Sequence, residues 1–285
     1  MLSISNIMSI LVKKGVHKPK VAIRMIGLAS ILLLASGDGF CEQKNPKDFS
    51  VTITVVYDNN EYNPELKTAW GFSCLIKEED GTILFDTGGN GKILLSNMNR
   101  LKLDPQQVRI VVLSHIHNDH VGGLEAFLEQ NSNVTIYLPH SFPDAFKDKV
   151  KKYGAKIINV NKPLRICQNV YSTGELGTEI KEESLIINTE KGLIIITGCA
   201  HPGIVDIVRR AKEIMKTNVY LVMGGFHLKG MSQREIDGIV EEFKKEGVEK
   251  VGACHCSGDL ARKIFEKAYH EDFIRVGVGK IIEID

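Results

Sequence analysis

No stretch constrains this chain more than Leu113-Ser-His-Ile-His-Asn-Asp-His-Val-Gly-Gly123, where His115, His117, Asp119 and His120 fall within six positions. Directly before the histidines, Arg109-Ile-Val-Val-Leu113 is a short continuous run of branched apolar residues, the pattern of a strand buried on both faces. The polar cluster therefore begins where that strand ends, and in open α/β folds ligands bind beyond such carboxyl ends. Alternation along extended chain points His115 and His117 to one side, so two imidazoles can converge on one ion. Asp119 and His120 then open a predicted helix over 119–129 and can face a second ion beside the first. Packing has no use for such a cluster. Burying imidazoles and a carboxylate without partners costs free energy unless something coordinates them.

The 285 residues are 43% hydrophobic and 25% charged, ordinary values for a globular chain, and the formal net charge is +1. That balance gives no nucleic-acid footprint and no affinity for an anionic membrane surface. The N-terminus differs from the rest: a basic stretch through Lys20 and Arg24 precedes the apolar run Met25–Ala35, too short to span a bilayer, and then small residues up to Gly39. Residues 1–40 are expected to be an export signal, 41–49 a linker and 50–285 a single domain, exported to a periplasm or the extracellular space, with no stable membrane span once the signal is removed. An uncleaved N-terminal anchor or a cytoplasmic enzyme is the alternative. Five cysteines follow Cys41 (Cys74, Cys167, Cys199, Cys254 and Cys256), too sparse for a disulfide framework. Cys199, Cys254 and Cys256 read mainly as small packing residues.

From residue 50 onward, short β segments lead into a strand–helix rhythm that argues α/β. Predicted strands cover 51–57, 70–77, 81–88, 109–113, 134–138, 156–160, 169–172, 184–188, 193–197, 219–223, 248–253, 273–276 and 280–283, and Glu79-Asp80-Gly81 makes a hairpin turn. Asp86 ends its strand before a Gly-rich turn, where it can serve as a turn residue or as the carboxylate that receives the second N–H of a metal-bound imidazole. Four strand-to-helix junctions carry histidine: the 115–120 cluster, His201, His227 and His255. Six of the nine histidines lie at these junctions. Convergence on one site explains that placement.

Six nitrogen and oxygen donors exceed the needs of one tetrahedral ion, so they divide into His115, His117 and His201 for a first ion and Asp119, His120 and His255 for a second. Two such ions can share an activated water and polarise a carbonyl or phosphoryl oxygen. Imidazole-rich ligation favours Zn2+, with Fe or Mn as alternatives.

His115-Ile-His-Asn-Asp-His120, preceded by Asp86 and followed by His201 and His255, resembles the metallo-β-lactamase superfamily. Gly198-Cys-Ala-His-Pro-Gly-Ile204, Gly224-Gly-Phe-His-Leu228 and Ala253-Cys-His-Cys256 are similar to the branch named after an archaeal enzyme of methanopterin biosynthesis. The resemblance implies an αββα four-layer sandwich, two mixed sheets between helical layers, with a dinuclear metal site along one edge. It also exposes a departure. Most hydrolases of the superfamily place a bridging Asp at the end of the strand before the last histidine motif, and here that strand ends in Met223-Gly-Gly-Phe-His227. His227 is therefore a candidate ligand or substrate contact, and Lys229 a candidate phosphate contact. The expected activity is metal-dependent hydrolysis of an ester, lactone or phosphoester, with Asp119 orienting or deprotonating the nucleophile. The alternatives are a transferase joining a pterin diphosphate to an arylamine, and a non-catalytic metal-binding protein. The partner expected is a small-molecule substrate and not a nucleic acid.

Overall fold

The computed structural model describes residues 50–78 and 81–285. The expected export signal and linker, and Glu79 and Asp80 of the expected hairpin turn, lie outside the described residues. Strands β1 (Val51–Tyr57), β2 (Ser73–Glu78) and β3 (Gly81–Phe85) each run antiparallel to the next. Helix α1 (Gly91–Arg100) leads to β4 (Val108–Val112), and then come α2 (Asn118–Val121), α3 (Leu124–Gln130), β5 (Thr135–Pro139), α4 (Asp144–Lys152) and β6 (Lys156–Val160). Strands β3 to β6 are parallel. An antiparallel meander follows, β7 (Leu164–Cys167), β8 (Val170–Ser172), β9 (Leu185–Thr189) and β10 (Gly192–Thr197). Two crossovers then add α5 (Ile204–Met215), β11 (Val219–Gly225), α6 (Gln233–Lys245), β12 (Lys250–Cys254) and α7 (Gly258–Tyr269), with β10, β11 and β12 parallel. The last strand, β13 (Ile281–Ile284), returns to pair with β1.

These strands form two sheets, a seven-stranded one ordered β13-β1-β2-β3-β4-β5-β6 and a six-stranded one ordered β12-β11-β10-β9-β8-β7. Both faces of each sheet are apolar, and the reason is visible along β10. Ile194 and Ile196 point into the core shared with Val55, Ile76, Phe85 and Val112 of the other sheet, while Leu193 and Ile195 pack with Ile207, Val240 and Phe265 of α5, α6 and α7. On the far side, Leu84 and Val111 meet Leu94 and Met98 of α1, Phe127 of α3 and Val150 of α4. The result is the expected αββα sandwich. Each fully buried Ile, Leu or Phe in these layers contributes about 1.5–3 kcal/mol relative to exposure. No helix among the described residues is long and apolar enough to cross a membrane.

Two local expectations are corrected, and one strand is added. The helix over 119–129 is two helices, broken at Gly122-Gly123, because the turn after β3 presses against this point: a Cβ on Gly123 would lie 2.1 Å from the Thr87 carbonyl oxygen, and one on Gly122 would lie 2.6 Å from that of Gly89. Residues 273–276 contribute a lone bridge, Val251 to Phe273, instead of a strand. Strand β7 went unread in the sequence, since four residues containing an exposed Arg165 carry too short an alternation to stand out.

A buried acid ties the two sheets together. The Glu183 N–H donates to the Ser114 carbonyl (2.9 Å) across the sandwich, and its carboxyl shares a hydrogen bond with the Ser172 hydroxyl. Burial raises its pKa to about 8. The folded chain therefore keeps a proton that the unfolded chain releases, and this group's contribution to stability is lost as pH rises from the ordinary glutamate range toward 8, at roughly 1.4 kcal/mol per pH unit. Urea melts between pH 5 and pH 8 should show Glu183→Gln gaining stability over the parent as pH rises. Parallel pH profiles for the two proteins would refute this.

Candidate metal centre

The sandwich opens along the edge where β4 of one sheet and β10, β11 and β12 of the other end. His115 and His117 follow β4, His201 follows β10, and His255 follows β12 directly. They come from two different sheets, so the parallel edges read from the sequence are two edges facing one another. The sheets approach closely here. A Cβ on Gly198 would lie 2.1 Å from Ser114 Oγ and 3.1 Å from Asp86 Oδ2, so glycine is required. Four non-glycine residues at these junctions adopt left-handed backbone, Asp86 (φ 54°), Ala200 (φ 61°), His227 (φ 54°) and His255 (φ 48°). Each costs on the order of 1 kcal/mol or more, and such residues gather where geometry serves function.

Donor atoms of His115, His117 and His201 lie within 4.8 Å of one another, and so do those of Asp119, His120, His255 and Cys199. The first set and the three nitrogen and oxygen donors of the second are those expected from the sequence. Cys199 was expected to pack, and it stands instead among the donors, its Sγ 3.2 Å from His120 Nε2 and 3.4 Å from His255 Nε2. A third set unites Cys199, His227 and Cys256. His227 thus falls on the sulfur side and not with the expected imidazoles, although its ring lies 4.4 Å from that of His201. Cys254 is in the core between the sheets, as expected.

The surrounding hydrogen bonds aim the rings inward. Asp86 Oδ2 receives His120 Nδ1–H (2.6 Å) and the Ser114 hydroxyl (2.7 Å), while Oδ1 receives the Ser114 N–H (2.7 Å). With its own proton committed to Asp86, Ser114 Oγ accepts His115 Nδ1–H at 2.9 Å. Asn59 Oδ1 takes His255 Nδ1–H at 2.9 Å. Each of these three rings is left with an Nε2 lone pair facing the cluster, the usual way a metal-binding imidazole is oriented. Asp86 therefore stands where a carboxylate can hold the His120 ring from behind. Sequence reasoning missed Asn59 and Glu182, since isolated Asn and Glu residues far along the chain carry no pattern. The Glu182 carboxylate receives the N–H groups of Cys199 (2.9 Å), Ala200 (2.8 Å) and His201 (2.9 Å) and so shapes the turn that carries two donors.

The electrostatics suit a cation. Burial and neighbouring imidazoles hold His115 well below the ordinary range, and burial with His227 and His117 lowers His201 to about 4, so both rings are neutral and able to coordinate. Burial opposes protonation of His120, but the Asp86 carboxylate outweighs it and raises its pKa, so a cation taking Nε2 would stand where a second ring proton otherwise sits. Burial likewise opposes ionisation of Asp119, yet hydrogen bonding to His255 and the charge of His120 leave its carboxyl well below the usual range. His201 Nε2 is buried without a hydrogen-bond partner. An orphaned imidazole nitrogen beside neutral rings and an ionised carboxylate is a donor set that fits a metal ion.

Comparison with known proteins agrees. The family description "Metallo-beta-lactamase superfamily" matches residues 71–211. The 7,8-dihydropterin-6-methyl-4-(beta-D-ribofuranosyl)-aminobenzene-5'-phosphate synthase of Methanocaldococcus jannaschii is 32% identical over 279 residues, covering 81% of this chain and 95% of that protein. The chain belongs to the metallo-β-lactamase superfamily. Among solved structures, a metal-dependent hydrolase of this superfamily is similar with a TM-score of 0.69 and 29% identity, over 82% of this chain and 99% of that one. A metallo-beta-lactamase fold protein of Bacillus subtilis, with a TM-score of 0.61 and 16% identity over 82% of this chain and 99% of its own, bears on the fold alone. As a member of this superfamily the chain has a fold that suggests metal binding, and its candidate donor groups are those described above.

Asp86→Asn leaves every candidate donor in place but removes the charge that orients His120 and, through Ser114, His115. It is expected to weaken zinc affinity about 10–100-fold in a competition titration with a chromophoric chelator, with an unchanged circular dichroism spectrum. Unaltered affinity would make Asp86 a turn residue only.

Proposed function

We propose that this chain is a metal-dependent hydrolase acting on an ester, lactone or phosphoester through two ions, zinc in preference to iron or manganese. The observation that carries the reading is the pair of neighbouring donor sets, His115, His117 and His201 beside Asp119, His120 and His255. When bound, such ions make water a usable nucleophile near neutral pH and polarise the oxygen of the group under attack. The chain's own residues supply the rest. The Asp119 side chain, 22% exposed, is the least buried donor of the second set and faces the opening. Kept ionised, it is a poor base, and its role is to accept a hydrogen bond from the nucleophile and orient it.

The opening itself is built for an anionic or polarised substituent. Trp70 is 47% exposed, its ring lies 4.9 Å from that of His255, and Lys229 Nζ sits 4.6 Å above it. Exposed His227 stands next to His201. A substrate bearing a phosphate or carboxylate can place that group against Lys229 with its reacting bond toward the donors. The N-terminal basic and apolar segment supports export, and an exported enzyme would work apart from cytosolic pools of pterin diphosphate.

A second reading has its own support. The 32% identity to the archaeal synthase favours transfer, in which the ions would hold a diphosphate leaving group and an arylamine would take the place of water. Incubation with a pterin diphosphate and an arylamine decides between them: joined product reverses the ranking, and hydrolysis alone upholds it.

Full-length protein stripped with a chelator should lose hydrolysis of a lactone, ester and phosphodiester panel and regain it with zinc. Activity that survives stripping would refute the hydrolase reading. Lys229→Ala is expected to raise KM severalfold for anionic substrates, corresponding to about 1 kcal/mol, with kcat largely kept. Equal effects on neutral and anionic substrates would remove Lys229 from substrate recognition.

A further inference from the structure

Strand β11 ends in Gly224-Gly225 and brings no carboxylate to the cluster. The space a side chain would take at Gly225 is filled. A Cβ placed there would lie 2.7 Å from Cys256 Sγ and 3.1 Å from His255 Cδ2. Sulfur therefore occupies that side of the cluster, and a second sulfur, Cys199 Sγ, lies among the donors of the second set.

The spacing of that set is that of ligands around one ion. Donors roughly 2.0–2.3 Å from a tetrahedral ion stand about 3.3–3.8 Å from one another. Here His120 Nε2 and His255 Nε2 are 3.3 Å apart. Asp119 Oδ2 lies 3.3 Å from His255 Nε2 and 3.7 Å from His120 Nε2. Cys199 Sγ lies 3.2 Å from the first of these rings and 3.4 Å from the second. All four atoms fall within the same 4.8 Å cluster.

We infer that Cys199 is a metal ligand, binding as a thiolate after losing its proton to solvent, and that it closes the second position with four protein donors: Asp119, His120, His255 and Cys199. The first position keeps three, His115, His117 and His201. A position saturated by protein anchors its ion, whereas three protein donors leave a place for water or substrate. The two positions thus divide their labour. This inference deepens the metal-dependent reading of the site and rests on it.

Two features hold Cys199 in that role. Glu182 takes the N–H groups of Cys199 and His201, so one buried carboxylate sets a donor for each position. The Cys256 thiol points to the Cys199 carbonyl oxygen at 3.6 Å and receives the His227 N–H at 3.3 Å. Cys256 is thereby a positioning residue that fixes the turn behind Cys199 and the backbone of His227. Thiolate ligation also predicts a preference for zinc over manganese or magnesium at this position, because hard cations select oxygen.

The test uses full-length protein loaded with Co2+, whose thiolate complexes absorb by charge transfer in the near ultraviolet. Two cobalt ions per chain and a charge-transfer band are expected for the parent. Cys199→Ser should lose the band and bind the second ion at least about tenfold more weakly. Cys256→Ser should keep the band, and Cys199→Asp should restore the second ion without it, which separates lost ligation from lost folding. A two-cobalt parent without the band overturns the inference, as does a band that survives Cys199→Ser. Cobalt stoichiometry keeps the outcomes apart: one ion with a Cys199-dependent band refutes the two-ion reading and upholds Cys199 as a ligand.

Discussion

The site hangs on the carboxylate of Asp86. It ends β3 in left-handed backbone, and its two oxygens take the N–H and hydroxyl of Ser114 and the ring N–H of His120. Through Ser114 it also sets the ring of His115, so one buried charge orients a donor in each of the two sets. Gly198, at the end of β10 in the opposite sheet, comes so close to Ser114 and Asp86 that no side chain fits. The strain at Asp86, Ala200, His227 and His255 is tolerated because strands buried on both faces fix the ends of the turns that bear it. Rigid layers and strained junctions are two aspects of one design.

The same geometry explains why the centre is asymmetric. On the β4 side the donors come in one run of sequence and are imidazoles and a carboxylate. On the side of β10, β11 and β12 they come from three separate turns, Cys199 and His201 after β10, His227 after β11, and His255 and Cys256 after β12, and the space left by Gly225 is taken by the sulfur of Cys256. The exposed rim follows the asymmetry too. Trp70 and Lys229, contributed by opposite sheets, meet beside His255.

Much of this was legible in the sequence. Continuous apolar runs ending in histidine placed the strands and the junctions, since a period-2 chain buried on both faces leaves its polar residues at the ends. The front half of each donor set could be drawn from spacing because His115, His117, Asp119 and His120 are local, while His201 and His255 were read from the ends of their own strands. Cys199 could not. A small residue in a Gly-Cys-Ala turn looks like packing until the turn is seen to face His120 and His255. Asn59 and Glu182 lay hidden for the same reason, as partners of residues distant in sequence. The continuous helix expected over 119–129 was broken by a contact with the turn after β3, which no local pattern records.

What the sequence determined by itself was the set of elements and the chemistry available at their ends: strand period, helix period, and histidines and an aspartate where strands stop. Only the tertiary structure decided which end faces which. That pairing arises from two sheets closing on a common core, where Ile194, Ile196, Val112 and Phe85 exclude water between them. Burial of that core is nonlocal, and it alone brings Cys199 beside His120 and Asn59 beside His255. The place of Cys199 among the candidate donors is therefore a property of the closed sandwich and is not contained in any one stretch of the chain.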